Sequence, residues 1–327
     1  MNQTKFQALV NWVRENGGYV DKDVYVDGQL LRCKKDKLPL EVLIRIPYPL
    51  AIKGESWIYH TIELLNEIGK GKESFYYPYI DMLPSMFEMK EHPFFKFKED
   101  DIQHIEKINL EASLLLKNLY KDYNQLKEKG CSQDEEMLKY AIIITSCRAR
   151  ERDGFTPVLD MLIPSLYTDN CKTPTFLFGY EYISQSDRVK SNDILKIPEI
   201  NPMSLSKSYI ITNNIDLECN TIPIPVKTKS ESLTLYFCSS GIVSSSLEKA
   251  KKIVLENEKV SENELNIKAI ELLLHVINIS IQNETKPENS KFNIFWELIV
   301  QTNNILKKSR LILLENLKIL GKEFVNK

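Results

Sequence analysis

Apolar residues recur every three or four positions at Phe6, Leu9, Val10 and Val13, which predicts an opening amphipathic helix stopped by Gly17-Gly18. The pattern then shortens to alternation. Tyr19-Val20 and Val24-Tyr25-Val26 read as strands, with Asp27-Gly28 as the hairpin signal before Gln29-Leu30-Leu31. Residues 41–47, from Glu41 to Pro47, form a further strand closed by its proline. Helical rows follow over about residues 56–68, 99–127 and 134–150. Residues 155–201 return to short β-like segments, among them 175–178 and 180–183. Two prolines in residues 197–203 predict a linker. Strand signals at 209–212 and 233–237 then precede helices over about 246–256, 261–282 and 292–325, the last two parted by a polar break from Gln282 to Ser290. A β-rich centre with an inserted helical block and a helical tail is an α+β chain of two domains.

Length and charge narrow the class. A chain of 327 residues can bury a core in one large domain or two modest ones. A net charge of −2 gives no pull toward nucleic acid or an anionic membrane. No apolar run approaches the roughly 20 residues of a membrane-spanning helix. The clusters Lys34-Lys35-Asp36-Lys37 and Lys307-Lys308-Ser309-Arg310 read as solvated faces. Six cysteines lie far apart without a C-x-x-C, and the four histidines are scattered, so no metal site is expected. The N-terminus runs straight into a helix without a signal-peptide core. The expectation is a cytoplasmic or nuclear monomer with reduced thiols and no nucleic-acid or membrane partner.

Residues 146–163 carry the most specific pattern. Cys147-Arg148-Ala149 resembles the "SRAF" helix end, and Pro157-Val158-Leu159-Asp160 the following "PLxDxxNH", of SET-domain methyltransferases of the Rubisco large-subunit type. Four more segments resemble that family in the same order. "NWVRENGGYV" (11–20) is similar to its first helix, and "EVLIRIP" (41–47) to its "GEVLLxIP" strand. "SFYYPYIDMLPS" (74–85) with Pro93-Phe94-Phe95 is similar to the motif of its helical insert, and "GYEYISQSDRVKSNDIL" (179–195) to "GEEIFISYGxKSNxELL". Residues 261–274 and 306–320 look like its helical substrate-binding domain.

The resemblance implies a knotted β-rich SET core over 1–203, a helical insert over about 54–150, and an all-helical substrate-binding lobe over 204–327. It implies an S-adenosylmethionine-dependent protein-lysine N-methyltransferase whose protein substrate docks on the C-terminal lobe. The positions it assigns to the cofactor are Arg148, Asp160, Asn192, Gly28 and Glu41. This chain departs from the family at the chemistry-bearing places. Ile163 and Pro164 replace the Asn and His, and Pro has no N–H to donate. Ser186 replaces the upstream tyrosine, and Glu199 lies nearest the missing catalytic tyrosine. Gly28-Gln29-Leu30-Leu31 keeps one glycine of "GxGLxA". The alternative is a catalytically inactive SET-fold protein acting as a protein-binding module.

Overall fold

The computed structural model describes residues 3–28, 30–150, 153–165, 171, 175–177, 181–198, 222–228, 231–238, 241–242, 244–258, 260–282 and 286–325. The chain forms two compact units: Met1–Glu99 with Leu116–Ile200, and Asp100–Leu115 with Asn201–Lys327.

In the first unit, helix α1 (Gln3–Glu15) buries Phe6, Leu9, Val10, Trp12 and Val13, the stripe that the spacing predicts. Gly17, at φ +83°, ends it. Gly18 then packs so tightly that a β-carbon there would lie 2.6 Å from Val13 Cγ1. Strands β1 (Tyr19–Val20), β2 (Val24–Asp27), β3 (Leu30–Cys33) and β4 (Val42–Pro47) follow, β2 and β3 pairing as the expected hairpin with Asp27 opposite Leu30. Helix α2 (Trp57–Lys70) begins a helical stretch with three four-residue helices, α3 (Tyr77–Ile80), α4 (Met86–Met89) and α5 (Pro93–Lys96). Four residues are too few to show periodicity, which is why pattern reading passes over them.

The long helix expected over 99–127 is two helices, α6 (Ile102–Ile108) and α7 (Leu110–Glu128). Asn109 breaks it: its backbone is extended, and its side-chain oxygen accepts the Ala112 N–H at 3.0 Å, capping α7. Asn109→Ala should therefore lower stability by about 1 kcal/mol, read as a lower urea midpoint at unchanged slope.

Helix α8 (Glu135–Arg148) is capped by Asp134, which accepts from Met137 N–H, and buries Leu138 through Thr145 without a polar side. Strands β5 (Ile163–Ser165), β6 (Thr175–Leu177), β7 (Glu181–Gln185) and β8 (Lys196–Pro198) complete this unit. One sheet runs β1-β4-β7-β6, and β5 pairs β8 in parallel. Residues 197 and 198, expected in a linker, therefore lie in a strand that Pro198 closes. Early and late segments are interleaved: β4 pairs antiparallel with β7, Leu195 N–H donates to Leu31 O, and Asn192 N–H to Cys33 O.

A buried ion cluster fastens the segments before β2 and before β4. Lys37 Nζ lies 2.8 Å from Asp21 Oδ1 and 2.9 Å from Asp23 Oδ2, with the lysine side chain 8% exposed. Burial opposes the charge on Lys37, but hydrogen bonds to both carboxylates outweigh it and raise its pKa. The hydrogen bond from Lys37 holds Asp23 below the ordinary carboxylate range.

The second unit is not all-helical, as the resemblance had implied. Strands β9 (Ile222–Lys227), β10 (Ser232–Cys238) and β11 (Gly241–Ile242) make an antiparallel sheet in the order β11-β10-β9. β10 is the strand expected at 233–237, whereas the strand expected at 209–212 lies outside the described residues. β9 contains Pro223 and Pro225, which count against a strand in sequence yet are accommodated here because β9 is terminal among the described strands, with no described neighbour needing the missing N–H. Helices α9 (Ser244–Asn257), α10 (Glu262–Ser280) and α11 (Asn293–Val325) match the periodic segments closely. No described helix is long and apolar enough to cross a membrane.

Candidate functional site

Arg148 is the last residue of α8, where a cation suits the negative end of the helix. The chain then reverses. Arg150 and Gly154 exchange hydrogen bonds of 3.0 and 2.9 Å, and Phe155 and Ile52 exchange bonds of 2.9 and 3.1 Å. Gly154 sits at φ +64°, and a β-carbon on it would stand 2.3 Å from Ile52 O. Only glycine fits.

Beyond this pinned reversal, Val158 adopts φ 68° and ψ −44° and leads into a 3-10 turn, Leu159–Met161. A β-branched residue with positive φ is strained, and burial of Val158 and Leu159 holds it there. The turn brings the Asp160 carboxylate to 3.7 Å from Arg148 Nη1, an ion pair beyond hydrogen-bond reach. Tyr79, from α3, donates its hydroxyl proton to Asp160 Oδ2. Asp160 Oδ1 is buried and accepts no hydrogen bond from the described residues. The Asp160 side chain is 0% exposed and that of Arg148 13%, so of the two only the arginine side chain reaches the surface.

Charge follows this burial. Desolvation raises the Asp160 pKa, with Arg148 and the Tyr79 hydroxyl working the other way. Tyr79 is held well above the usual tyrosine range, first by burial and then by the Asp160 charge. Burial opposes the Arg148 charge, but Asp160 and Tyr79 outweigh it and the arginine stays protonated.

The remaining sequence-assigned positions fall elsewhere. Asn192 is exposed at φ 67°, a conformation asparagine tolerates. It belongs to the β2–β3 hairpin side: Arg32 donates to its carbonyl at 2.8 Å and the Tyr25 hydroxyl to its Oδ1 at 3.3 Å. Gly28 forms the hairpin turn at φ +61° with nothing within 4 Å of its would-be β-carbon, so the turn requires glycine and no close approach does. The Glu41 carbonyl accepts the Ser186 N–H at 2.8 Å, tying the start of β4 to the end of β7. Ser186 is fully buried, and its hydroxyl makes no hydrogen bond to the described residues. Ile163 and Pro164 lie in β5, Pro164 opposite Ile197. Glu199 lies outside the described residues. Among the described residues no group of three His, Cys, Asp or Glu is placed to hold a metal ion.

Sequence reasoning missed Tyr79 and Lys37. Tyr79 lies 81 residues from Asp160, and only its place within Pro78-Tyr79-Ile80-Asp81 hinted at a role.

This architecture coincides along almost its whole length with that of solved structures. Over 98% of this chain and 93% of the other, it matches the SET domain of LSMT bound to lysine and AdoHcy, with a TM-score of 0.53 and 14% identity. The SET domain of LSMT bound to methyl-lysine and AdoHcy matches at TM-score 0.52 and 14% identity, over 97% and 93% of the two chains. Rubisco LSMT bound to AdoMet matches at 0.52 and 13%, with the same coverage. The fold is the SET-domain fold of Rubisco LSMT. No protein-family model matches the sequence, and no curated protein does. Identity this low carries the fold to this chain and leaves each residue's role to its own geometry.

Proposed function

We propose that the first unit binds S-adenosylmethionine and that the chain is a protein-lysine N-methyltransferase, with its protein partner docked on the second unit. The observation that carries this reading is Arg148: a partly exposed arginine at a helix end, beside a buried carboxylate, within a SET fold. S-adenosylmethionine, when bound, supplies an electrophilic methyl carbon on sulfur. Its carboxylate suits a guanidinium, which offers paired N–H donors to such a group. The side chains of Asp160 and Tyr79 are buried, so they would support Arg148 without touching the ligand. Asn192 would act from the hairpin side, where its backbone joins residues 190–198 to β3. The threading of that segment between the hairpin and β5 supports the knotted core of this fold family.

The chain's remaining tasks are to orient a lysine amine and exclude water while the amine is neutral, since lysine is mostly charged at pH 7. A specific observation favours the second reading, a catalytically silent binding module. Ser186 replaces a tyrosine and is buried, the Tyr79 hydroxyl is committed to Asp160, and the Tyr140 hydroxyl donates to Pro84 O at 2.8 Å.

Calorimetric titration separates binding from its absence. The protein should bind S-adenosylmethionine with Kd below about 1 mM, and Arg148→Ala should weaken it about tenfold or more. No heat at millimolar ligand would remove the proposal. Labelled methyl appearing on lysine of a protein in a cell lysate, and lost with Arg148→Ala, selects the enzyme; binding without transfer selects the module.

A further inference from the structure

Asp160 stands behind Arg148 in an unusual way. One oxygen accepts from the Tyr79 hydroxyl; the other faces Arg148 Nη1 at 3.7 Å and accepts no hydrogen bond from the described residues. The carboxylate therefore attracts the guanidinium by charge without consuming its N–H groups, which remain for a ligand. The Arg148 side chain keeps 13% exposure while that of Asp160 has none, so of these two side chains only the arginine can meet a ligand. The strained Val158 backbone fixes the turn that presents Asp160.

The phenol decides whether this brace works. Without the Tyr79 proton, neither oxygen of this buried carboxylate would be hydrogen-bonded among the described residues, and only the 3.7 Å attraction to Arg148 would hold it in place. Arg148 would then face a counter-ion that is less firmly placed. Tyr140 also faces Arg148, and Arg150 faces Asp160 from the loop, but neither is hydrogen-bonded to the carboxylate among the described contacts.

We propose that Tyr79, acting through Asp160, is a positioning residue that holds the Arg148 guanidinium for the carboxylate of the methyl donor. This rests on the reading that the first unit binds S-adenosylmethionine.

The test uses the full chain and two ligands: S-adenosylmethionine and its decarboxylated form, which keeps the sulfonium and the amine. Tyr79→Phe retains the ring that packs beside Phe155, 6.5 Å between centroids, so the core stays filled. Tyr79→Phe should weaken S-adenosylmethionine about tenfold and the decarboxylated ligand by no more than about twofold. In an Arg148→Ala background, Tyr79→Phe should have no further effect on either ligand, since residues acting as one unit do not add. Equal weakening of both ligands, or additive losses in the double variant, would mean that Tyr79 only packs and would overturn the inference while leaving the cofactor reading intact. A wild-type protein that binds neither ligand would overturn both. Thermal unfolding of each variant, with midpoints close to wild type, confirms that the binding change is not loss of fold.

Discussion

Lys37→Met is expected to lower unfolding stability by about 3 kcal/mol or more, measured by urea denaturation at pH 7. The lysine side chain is 8% exposed, and its ammonium is the shared partner of Asp21 and Asp23. Methionine fills similar volume but leaves two carboxylates mostly buried beside each other. Asp23 predicts the pH dependence. Its folded pKa lies below the ordinary value, so the stability it contributes is present above about pH 4 and is lost as pH falls through the folded value. The gap between wild type and Lys37→Met should therefore narrow below pH 4, where a protonated Asp23 no longer needs an ammonium. A constant gap down to pH 2 would show that the variant fails through packing and not through charge. Lys37→Arg, which keeps the charge, should recover part of the loss.

Gly154→Ala is the second large effect. At Gly154 two penalties coincide: a left-handed backbone at φ +64°, and a β-carbon 2.3 Å from the Ile52 carbonyl oxygen. That oxygen accepts the Phe155 N–H at 2.9 Å, so relief of the clash has to break a buried backbone bond. Strain and overpacking are each worth about 1–3 kcal/mol, giving roughly 3 kcal/mol or more together. Gly28→Ala separates the two. Gly28 has nearly the same φ, +61°, but open space around it, so its replacement should cost about 1 kcal/mol. Equal midpoints for the two variants in thermal unfolding would refute the close-approach argument. The Gly154 change should also weaken ligand binding, because the reversal it pins aims Asp160 at Arg148.

The long helices and the β2–β3 hairpin were readable in sequence because repeated apolar spacing and Asp27-Gly28 are local signals. Asn109 shows where such reading stops: the apolar rows of α6 and α7 run on through it, and only its side-chain cap reveals the break. β9 was hidden by Pro223 and Pro225, whose meaning depends on the strand being terminal, a fact of the assembled sheet. At the candidate site, Arg148 and Asp160 were legible because they share one short segment. Tyr79 was not, because burial and a partner 81 residues away give it its role. Asn192 was assigned to the cofactor by resemblance, and its hydrogen bonds in the fold lead to Tyr25, Arg32 and Cys33 and not to Arg148.

The two prolines of β9 also limit how this protein can meet others. A visiting extended peptide lengthens a sheet by exchanging main-chain hydrogen bonds with its outermost strand, and each proline withholds a donor from that exchange. Whatever the second unit recruits along β9 must be gripped by side chains and helix surfaces. Recognition of that kind reads shape and charge in the guest, and it keeps the sheet from templating stacks of its own copies.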